Sequence, residues 1–136
     1  MNLAERAAAT QATWEKYKGQ PHDWKGPTCA HVLRSHLRAM GYKPPKMPQF
    51  QSPVGARRAL KQMGADDLLS LMPVLGLLEI KVAEMIVGDI AILPGDEGFD
   101  ALTICAGNKF IGFHEESDGF TAMEITRSAV KGAFRV

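Results

Sequence analysis

Residues 27–41, PTCAHVLRSHLRAMG, contain the clearest structural signal in the chain. Apolar positions recur there at the i, i+3, i+4 and i+7 spacing of an amphipathic helix, at Cys29, Val32, Leu33, His36, Leu37 and Met40. Thr28 precedes them as a candidate N-cap, and Gly41 follows them where helices commonly end. We therefore predict a helix from about residue 29 to residue 40. Its first turn carries Cys29, where the positive end of the helix dipole favours the thiolate.

The segments around this helix predict other helices and one extended stretch. Residues 2–18 are rich in Ala and other good helix formers, whereas residues 42–53 hold four prolines and are expected to run extended on the surface. Further helices are expected over residues 54–63 and 65–71. The second of these should end ahead of Pro73, because a proline disfavours helical geometry in the residue before it.

From Leu77 onward the pattern changes to that of short strands separated by turns. Six strands are expected, at residues 78–82, 89–93, 101–106, 109–114, 120–125 and 132–136. The third and fourth should form a hairpin around Gly107 and Asn108. A mainly helical part (1–76) followed by a mainly β part (77–136) predicts a single α+β domain over residues 1–136, with N-terminal helices packed on an antiparallel sheet or half-barrel.

The composition is that of an ordinary globular domain and excludes several functional classes. Of 136 residues, 46% are hydrophobic and 23% charged. A chain of this length and composition can bury a core without disulfide bonds or bound metal ions. A net charge of +1 argues against nucleic-acid binding, and no apolar stretch is long enough for membrane insertion. Two cysteines without a zinc-type Cys/His spacing predict neither metal nor cofactor. Residues 1–10 lack the apolar region of a signal peptide, so cytoplasmic synthesis is expected.

The charge is unevenly distributed along the chain. Residues 1–64 hold eleven Lys or Arg against three Asp or Glu, a net charge of +8, whereas residues 65–136 hold five against twelve, a net charge of −7. Such asymmetry can orient a protein against a partner, or it can make the two halves of one domain complementary. Both interpretations remain open from the sequence.

Three segments, in order and at matching spacing, resemble the NlpC-type papain-like cysteine peptidases. Residues 24–29, WKGPTC, are similar to the family's tryptophan–glycine–x–aspartate–cysteine entry, residues 88–93 to its glycine–aspartate motif, and residues 104–111 to its hairpin. The resemblance extends from about Trp14 to the C-terminus. It is closest to small phage-encoded members found among tail-tip genes, which often end in an aromatic–arginine–valine strand, as residues 134–136 do here. It implies a papain-like fold, Cys29 as nucleophile and a virion location.

The same resemblance shows where the catalytic pattern is broken. In active members a histidine begins the hairpin strand and acts as general base, but alignment on Gly107 puts Ala101 at that position. Thr28 replaces the aspartate that usually precedes the nucleophile. His114 lies two residues from the position of the third polar residue, which keeps it on the same strand face, and is therefore the best candidate base.

The other histidines are weaker candidates for a base. His31 is two residues from Cys29 on a helix and points elsewhere, and His36 lies on the apolar face as an expected core residue. His22 precedes the helix and could approach Cys29 only if its loop folds back.

Three functions remain open from the sequence. The first is a structural or adaptor component of a phage tail tip, built on a degenerate cell-wall peptidase fold. It would contact tail-tip or hub proteins through residues 42–53 or the acidic run 115–119. The second is an active peptidoglycan endopeptidase that cleaves stem peptides during phage entry, using Cys29 with His114. The third is a host-encoded thiol enzyme or amidase of the same fold.

Overall fold

The structure is a computed structural model that describes residues 1–95, 98–113 and 119–136. The helices are α1 (Leu3–Tyr17), α2 (Cys29–Ala39), α3 (Pro53–Gln62) and α4 (Leu68–Val74). The strands are β1 (Leu78–Ile80), β2 (Ile90–Leu93), β3 (Ala101–Cys105), β4 (Phe110–Phe113), β5 (Phe120–Met123) and β6 (Gly132–Arg135). Across the described ranges every α-helix precedes every strand, which confirms the α+β class.

The six strands form one antiparallel sheet in the order β1-β6-β2-β3-β4-β5. The central strand β2 is buried along its whole length, so its sequence IAIL is continuously apolar and does not alternate. Ile90 pairs with Ile104 of β3 on one side and with Phe134 of β6 on the other. The β3–β4 hairpin around Gly107 and Asn108 is confirmed, since Ala106 N–H donates to the Lys109 carbonyl at 2.7 Å.

Helix α2 has the ends that its sequence predicts. Thr28 is the N-cap, and its backbone N–H donates to His31 Nδ1 at 3.1 Å. After the helix, Gly41 adopts a φ of +90°, and Tyr42 N–H donates to the Leu37 carbonyl at 2.9 Å. The apolar face of α2 is buried against α1 and β3, so this helix joins the helical layer to the sheet.

Helix α4 departs from the expectation that it would end ahead of Pro73. It begins at Leu68, where the Asp67 carboxylate caps the Ser70 N–H at 2.7 Å, and it continues through Pro73 to Val74. The expected end was wrong because a proline so close to a helix C-terminus removes only one hydrogen bond. Burial of Leu71 and Met72, 1% and 0% exposed, offsets that loss.

The first strand is also shorter than expected. Instead of residues 78–82, β1 covers Leu78–Ile80 and is followed by a 3₁₀ turn at Val82–Glu84. It pairs with β6 alone, at the edge of the sheet, and Leu78 is 71% exposed. The alternation of this segment therefore reflects an edge strand with little burial on either face.

Asp89, just before β2, is a fully buried carboxylate with four hydrogen-bond donors around it. Its Oδ1 accepts from Arg6 Nη2 at 2.7 Å and from the Val136 N–H at 3.1 Å. Its Oδ2 accepts from Arg135 Nε and from the Ile86 N–H, both at 2.9 Å. A buried charge is tolerated only when it is paired in this way, so Asp89 ties α1 and the C-terminus to the start of β2.

His36 makes a second buried hydrogen-bonded connection to the residues just before β2. Its Nε2–H donates to the Gly88 carbonyl at 2.9 Å, which leaves Nδ1 to accept from the Thr13 hydroxyl, also at 2.9 Å. Burial, with Arg6 nearby, lowers the pKa of His36, while the Gly88 carbonyl and Asp89 oppose the shift. The expectation that His36 is a hydrogen-bonded core residue is confirmed.

Candidate functional site

The loop before α2 is a compact turn that positions Cys29. Asp23 N–H donates to the Pro27 carbonyl at 3.0 Å, and Gly26 N–H donates to the Asp23 carbonyl at 2.7 Å. Gly26 has a φ of +115°, and a Cβ there would lie 3.4 Å from the His31 ring, so this position requires glycine. The turn ends at Thr28, and Cys29 is the first residue of α2, as the sequence predicts.

Cys29 lines a cavity of about 470 Å³ between the helices and the start of β3. The 24–29 turn and α3 form two of its walls, and the segment 99–101 forms another. Most of the lining is apolar, with Met47, Phe50, Leu60, Met63, Phe99 and Phe113 among its residues. Its size and apolar walls are those of a ligand-binding cavity.

The Cys29 thiol is half-buried, and its environment favours the neutral form. Burial raises the pKa of this thiol, while hydrogen bonds from the backbone of Leu102 and of Cys29 itself act in the opposite direction. The helix N-terminus therefore does not give the depressed pKa that its position alone predicts. The thiolate needed for nucleophilic attack is scarce at neutral pH.

Ala101 lines the same cavity at the first position of β3. Its neighbour Leu102 supplies a backbone hydrogen bond to the Cys29 thiol, so the start of β3 lies near Cys29. Asp100, which precedes it, accepts from Lys131 Nζ at 2.8 Å through Oδ1. Its Oδ2 is buried, and within residues 1–95, 98–113 and 119–136 it has no hydrogen-bond partner.

His22 is the histidine that the structure brings to the cavity. The loop folds back, and the imidazole packs edge-on against Trp24 and Phe113, with ring centroids 4.9 and 5.4 Å away. Burial lowers the pKa of His22, and Asp23 opposes the shift. Within the described ranges, no hydrogen bond joins His22 to Cys29.

The remaining histidines do not complete the site. His31 is held by the Thr28 backbone, as the sequence spacing from Cys29 predicts, and His36 is in the core. His114, the candidate base, lies outside the described residues, so its proposed pairing with Cys29 stays a prediction. Of the acidic run 115–119, only Gly119 is described. Cys105 is buried, and burial raises the pKa of its thiol.

One cavity contact was not expected from the sequence. The Arg57 guanidinium lies 4.9 Å from the centre of the Phe99 ring, and Phe99 in turn packs 5.1 Å from Trp24. This stack connects α3 to both loops beside Cys29. No sequence spacing reveals it, because the three residues lie far apart along the chain.

Neither a metal site nor a membrane-spanning helix is found among the residues that the structure describes. In residues 1–95, 98–113 and 119–136, no group of three or more His, Cys, Asp or Glu residues is placed to hold a metal ion. None of the helices in these ranges is long and apolar enough to cross a membrane.

Fold and site together define an α+β protein with a thiol at a helix N-terminus, facing a largely apolar cavity beside an antiparallel sheet. The chain belongs to the family described as Domain of unknown function (DUF6950), whose sequence model matches residues 1–136. Comparison with curated proteins finds no match.

Proposed function

We propose that this chain is a structural adaptor of a phage tail tip, built on an NlpC-type papain-like fold that has lost its general base. The observation that carries the proposal is that an alanine, Ala101, begins β3 and lines the Cys29 cavity, next to Leu102, whose backbone hydrogen-bonds the thiol. A cysteine hydrolase needs a thiolate and a base within hydrogen-bond reach. Here the first residue of β3 is an alanine, and burial raises the pKa of the Cys29 thiol.

The papain-like assignment rests on sequence motifs and on element placement together. Cys29 begins a helix that packs on an antiparallel sheet, and residues 88 and 89 precede the central strand of that sheet. Both placements match what the resemblance implies. A loss of hydrolytic activity in such a fold leaves a rigid scaffold with an apolar cavity.

The adaptor role draws support from the surface beside the cavity. Residues 42–50 have no regular secondary structure, and Met47 and Phe50 from this segment are only half-buried where they line the cavity. Apolar side chains at an accessible rim are available for a protein partner. In its assembly the chain is expected to bury on the order of 1,000 Å² or more.

An active peptidoglycan endopeptidase is the second candidate function, and His22 is the observation that favours it. This imidazole lines the same cavity as Cys29, and its lowered pKa keeps it neutral at pH 7, the form that accepts a proton. In this candidate, movement of the 21–24 loop brings His22 to the thiol. His114 remains the alternative base.

Muropeptide hydrolysis separates the two candidates. Purified wild type and Cys29→Ser are incubated with disaccharide-peptide fragments, and released peptides are followed by mass spectrometry. The adaptor proposal expects no cleavage above background in either protein. Cleavage by wild type that is lost in Cys29→Ser contradicts it, and loss of that cleavage in His22→Gln or in His114→Gln then identifies the base.

Particle assembly tests the location. Phage carrying Cys29→Ser should incorporate the protein into purified tails as well as wild type does, and those particles should remain infectious. Absence of the wild-type protein from purified tails contradicts the tail-tip assignment, whatever the hydrolysis assay shows.

A further inference from the structure

A second cavity of about 430 Å³ adjoins the Cys29 cavity and shares part of its wall, at Ala30, Met47 and Phe50. We call it the basic groove. Its other walls come from the loop before α2, from α2 itself and from residues 46–51. The polar side chains that line it are Lys25, His31, Arg34, Lys46, Gln49 and Gln51.

The charges in the basic groove are all of one sign. Lys25, Arg34 and Lys46 line it without any Asp or Glu. None of these three cations takes part in an ion pair within the part of the chain that the structure describes. A concave surface lined by uncompensated positive charge attracts anions.

Arg34 supplies the most specific signal. Its Nε is buried and has no hydrogen-bond partner among the residues that the structure describes. A buried donor left without an acceptor is costly, so native structures rarely keep one. A carboxylate or phosphate oxygen entering the groove would accept from this N–H, and guanidinium groups bind such oxyanions in pairs of hydrogen bonds.

His31 adds a second donor to the groove. Its Nδ1 accepts from the Thr28 N–H, so the neutral ring carries its proton on Nε2. The Nε2–H is therefore free of the capping interaction and is available to a ligand. The same contact fixes the orientation of the ring.

Other lining residues indicate that the ligand is larger than a bare anion. Gln49 and Gln51 provide amide donors and acceptors of the kind that pair with peptide groups. Met47 and Phe50 provide apolar contacts in the same wall. A free phosphate would use the cations and leave these groups without a role.

We propose that the basic groove binds an acidic polypeptide segment of a protein partner. A carboxylate meets Arg34, with His31 and the two lysines around it, and the peptide backbone of the ligand pairs with Gln49 and Gln51. The site lies outside the Cys29 cavity and needs no thiol chemistry, so it stands whether the chain is an adaptor or a hydrolase.

The test uses the arginine Nε–H signals, which are visible in ¹H–¹⁵N spectra of the intact ¹⁵N-labelled chain. Hexaglutamate is titrated in as the acidic probe, with hexaglutamine and inorganic phosphate as comparison probes. Arg34→Gln removes the guanidinium. Arg38→Gln is the matched control, since Arg38 is exposed on the same helix and does not line the groove.

With hexaglutamate the Arg34 Nε–H signal should move downfield and saturate, together with backbone signals of residues 30–34 and 46–51. Arg34→Gln should weaken binding by about tenfold or more, because it removes a charge-assisted pair, while Arg38→Gln should leave it within about twofold. Hexaglutamine should not bind. Should Arg34→Gln fail to fold, the Arg34 Nε–H shift in the wild-type chain still decides the question.

Two results overturn the proposal. The first is that inorganic phosphate saturates the groove with an affinity per phosphate equal to the affinity per carboxylate of hexaglutamate. In that case the groove binds simple anions and is not a peptide site. If the Arg34 Nε–H signal does not move, or if all surface arginines and lysines shift alike, the groove holds no specific site.

Discussion

Asp89 and Cys29 belong to two segments of the same sequence resemblance, yet the structure surrounds them very differently. Asp89 is enclosed by four donors, two from guanidinium groups and two from the backbone. Among the described residues, Cys29 has only backbone hydrogen bonds to its thiol. Within those residues the carboxylate of the first segment is fully paired, whereas the thiol of the second has no side-chain partner.

The difference follows from the free energy that the buried carboxylate and the thiol each cost the folded state when their partners are removed. An unpaired buried carboxylate is strongly unfavourable, so Asp89 cannot lose Arg6 or Arg135 without a large loss of stability. A thiol is nearly apolar when neutral, and it can remain beside an alanine at little cost. A thiol at this position is therefore compatible with the fold whether or not a base lies beside it.

The largest expected effect is that of Asp89→Asn. It removes the buried charge while keeping the shape, and it leaves two guanidinium groups without their counter-ion. We expect a loss of about 3–5 kcal/mol in the free energy of unfolding, measured by urea denaturation. Glu79→Gln on the exposed edge strand is the control and should change stability little. If Asp89→Asn lowers the free energy of unfolding by less than about 1 kcal/mol, the buried carboxylate does not depend on its partners more than the Cys29 thiol does.

Ala101→His introduces an imidazole into the cavity that Cys29 lines, and it tests the Cys29 side of the comparison. A neighbouring imidazolium favours the thiolate, so the Cys29 pKa should fall. A decrease of one unit gives about a tenfold rise in thiolate at pH 7. Peptide mapping after iodoacetamide labelling follows Cys29 separately from Cys105. Ala122→His, at the exposed position of β5, is the control. Equal labelling rates in both variants would show that residue 101 does not face the thiol.

His36 bonds the Gly88 carbonyl, next to Asp89, and its titration should have a smaller effect on stability that depends on pH. Its pKa in the folded chain is lowered from 6.5, so the unfolded chain takes up a proton at a pH where the folded chain does not. Stability should therefore fall as the pH drops below about 6.5, with a slope of at most about 1.4 kcal/mol per pH unit from this group. Urea midpoints between pH 7.5 and 5.5 measure it.

Two histidine variants decide which imidazole causes the pH dependence of stability. His36→Gln should flatten the slope of stability against pH more than His22→Gln does, because His36 is fully buried, whereas His22, whose pKa burial also lowers, is more exposed. A wild-type slope that survives in His36→Gln would mean that the imidazole is not held neutral by the Gly88 and Thr13 contacts.

Local signals in the sequence were sufficient for several elements. The apolar spacing from Cys29 to Met40 predicted α2, with Thr28 as its cap and Gly41 after its end, because a helix buries one face and needs its ends satisfied. The helix-then-strand order predicted an α+β domain. The end of α4 was missed, since burial of Leu71 and Met72 outweighs the local preference of Pro73.

For the site, the sequence by itself determined that a thiol stands at a helix start and that no histidine begins the hairpin strand. Only the tertiary structure decided the direction in which the pKa of that thiol shifts, because the burial that raises it depends on residues far away in the chain. The tertiary structure also brought His22 to the cavity and placed Arg34 in a groove where no described residue acts as its counter-ion. Neither follows from spacing, since both depend on how a loop packs against a helix.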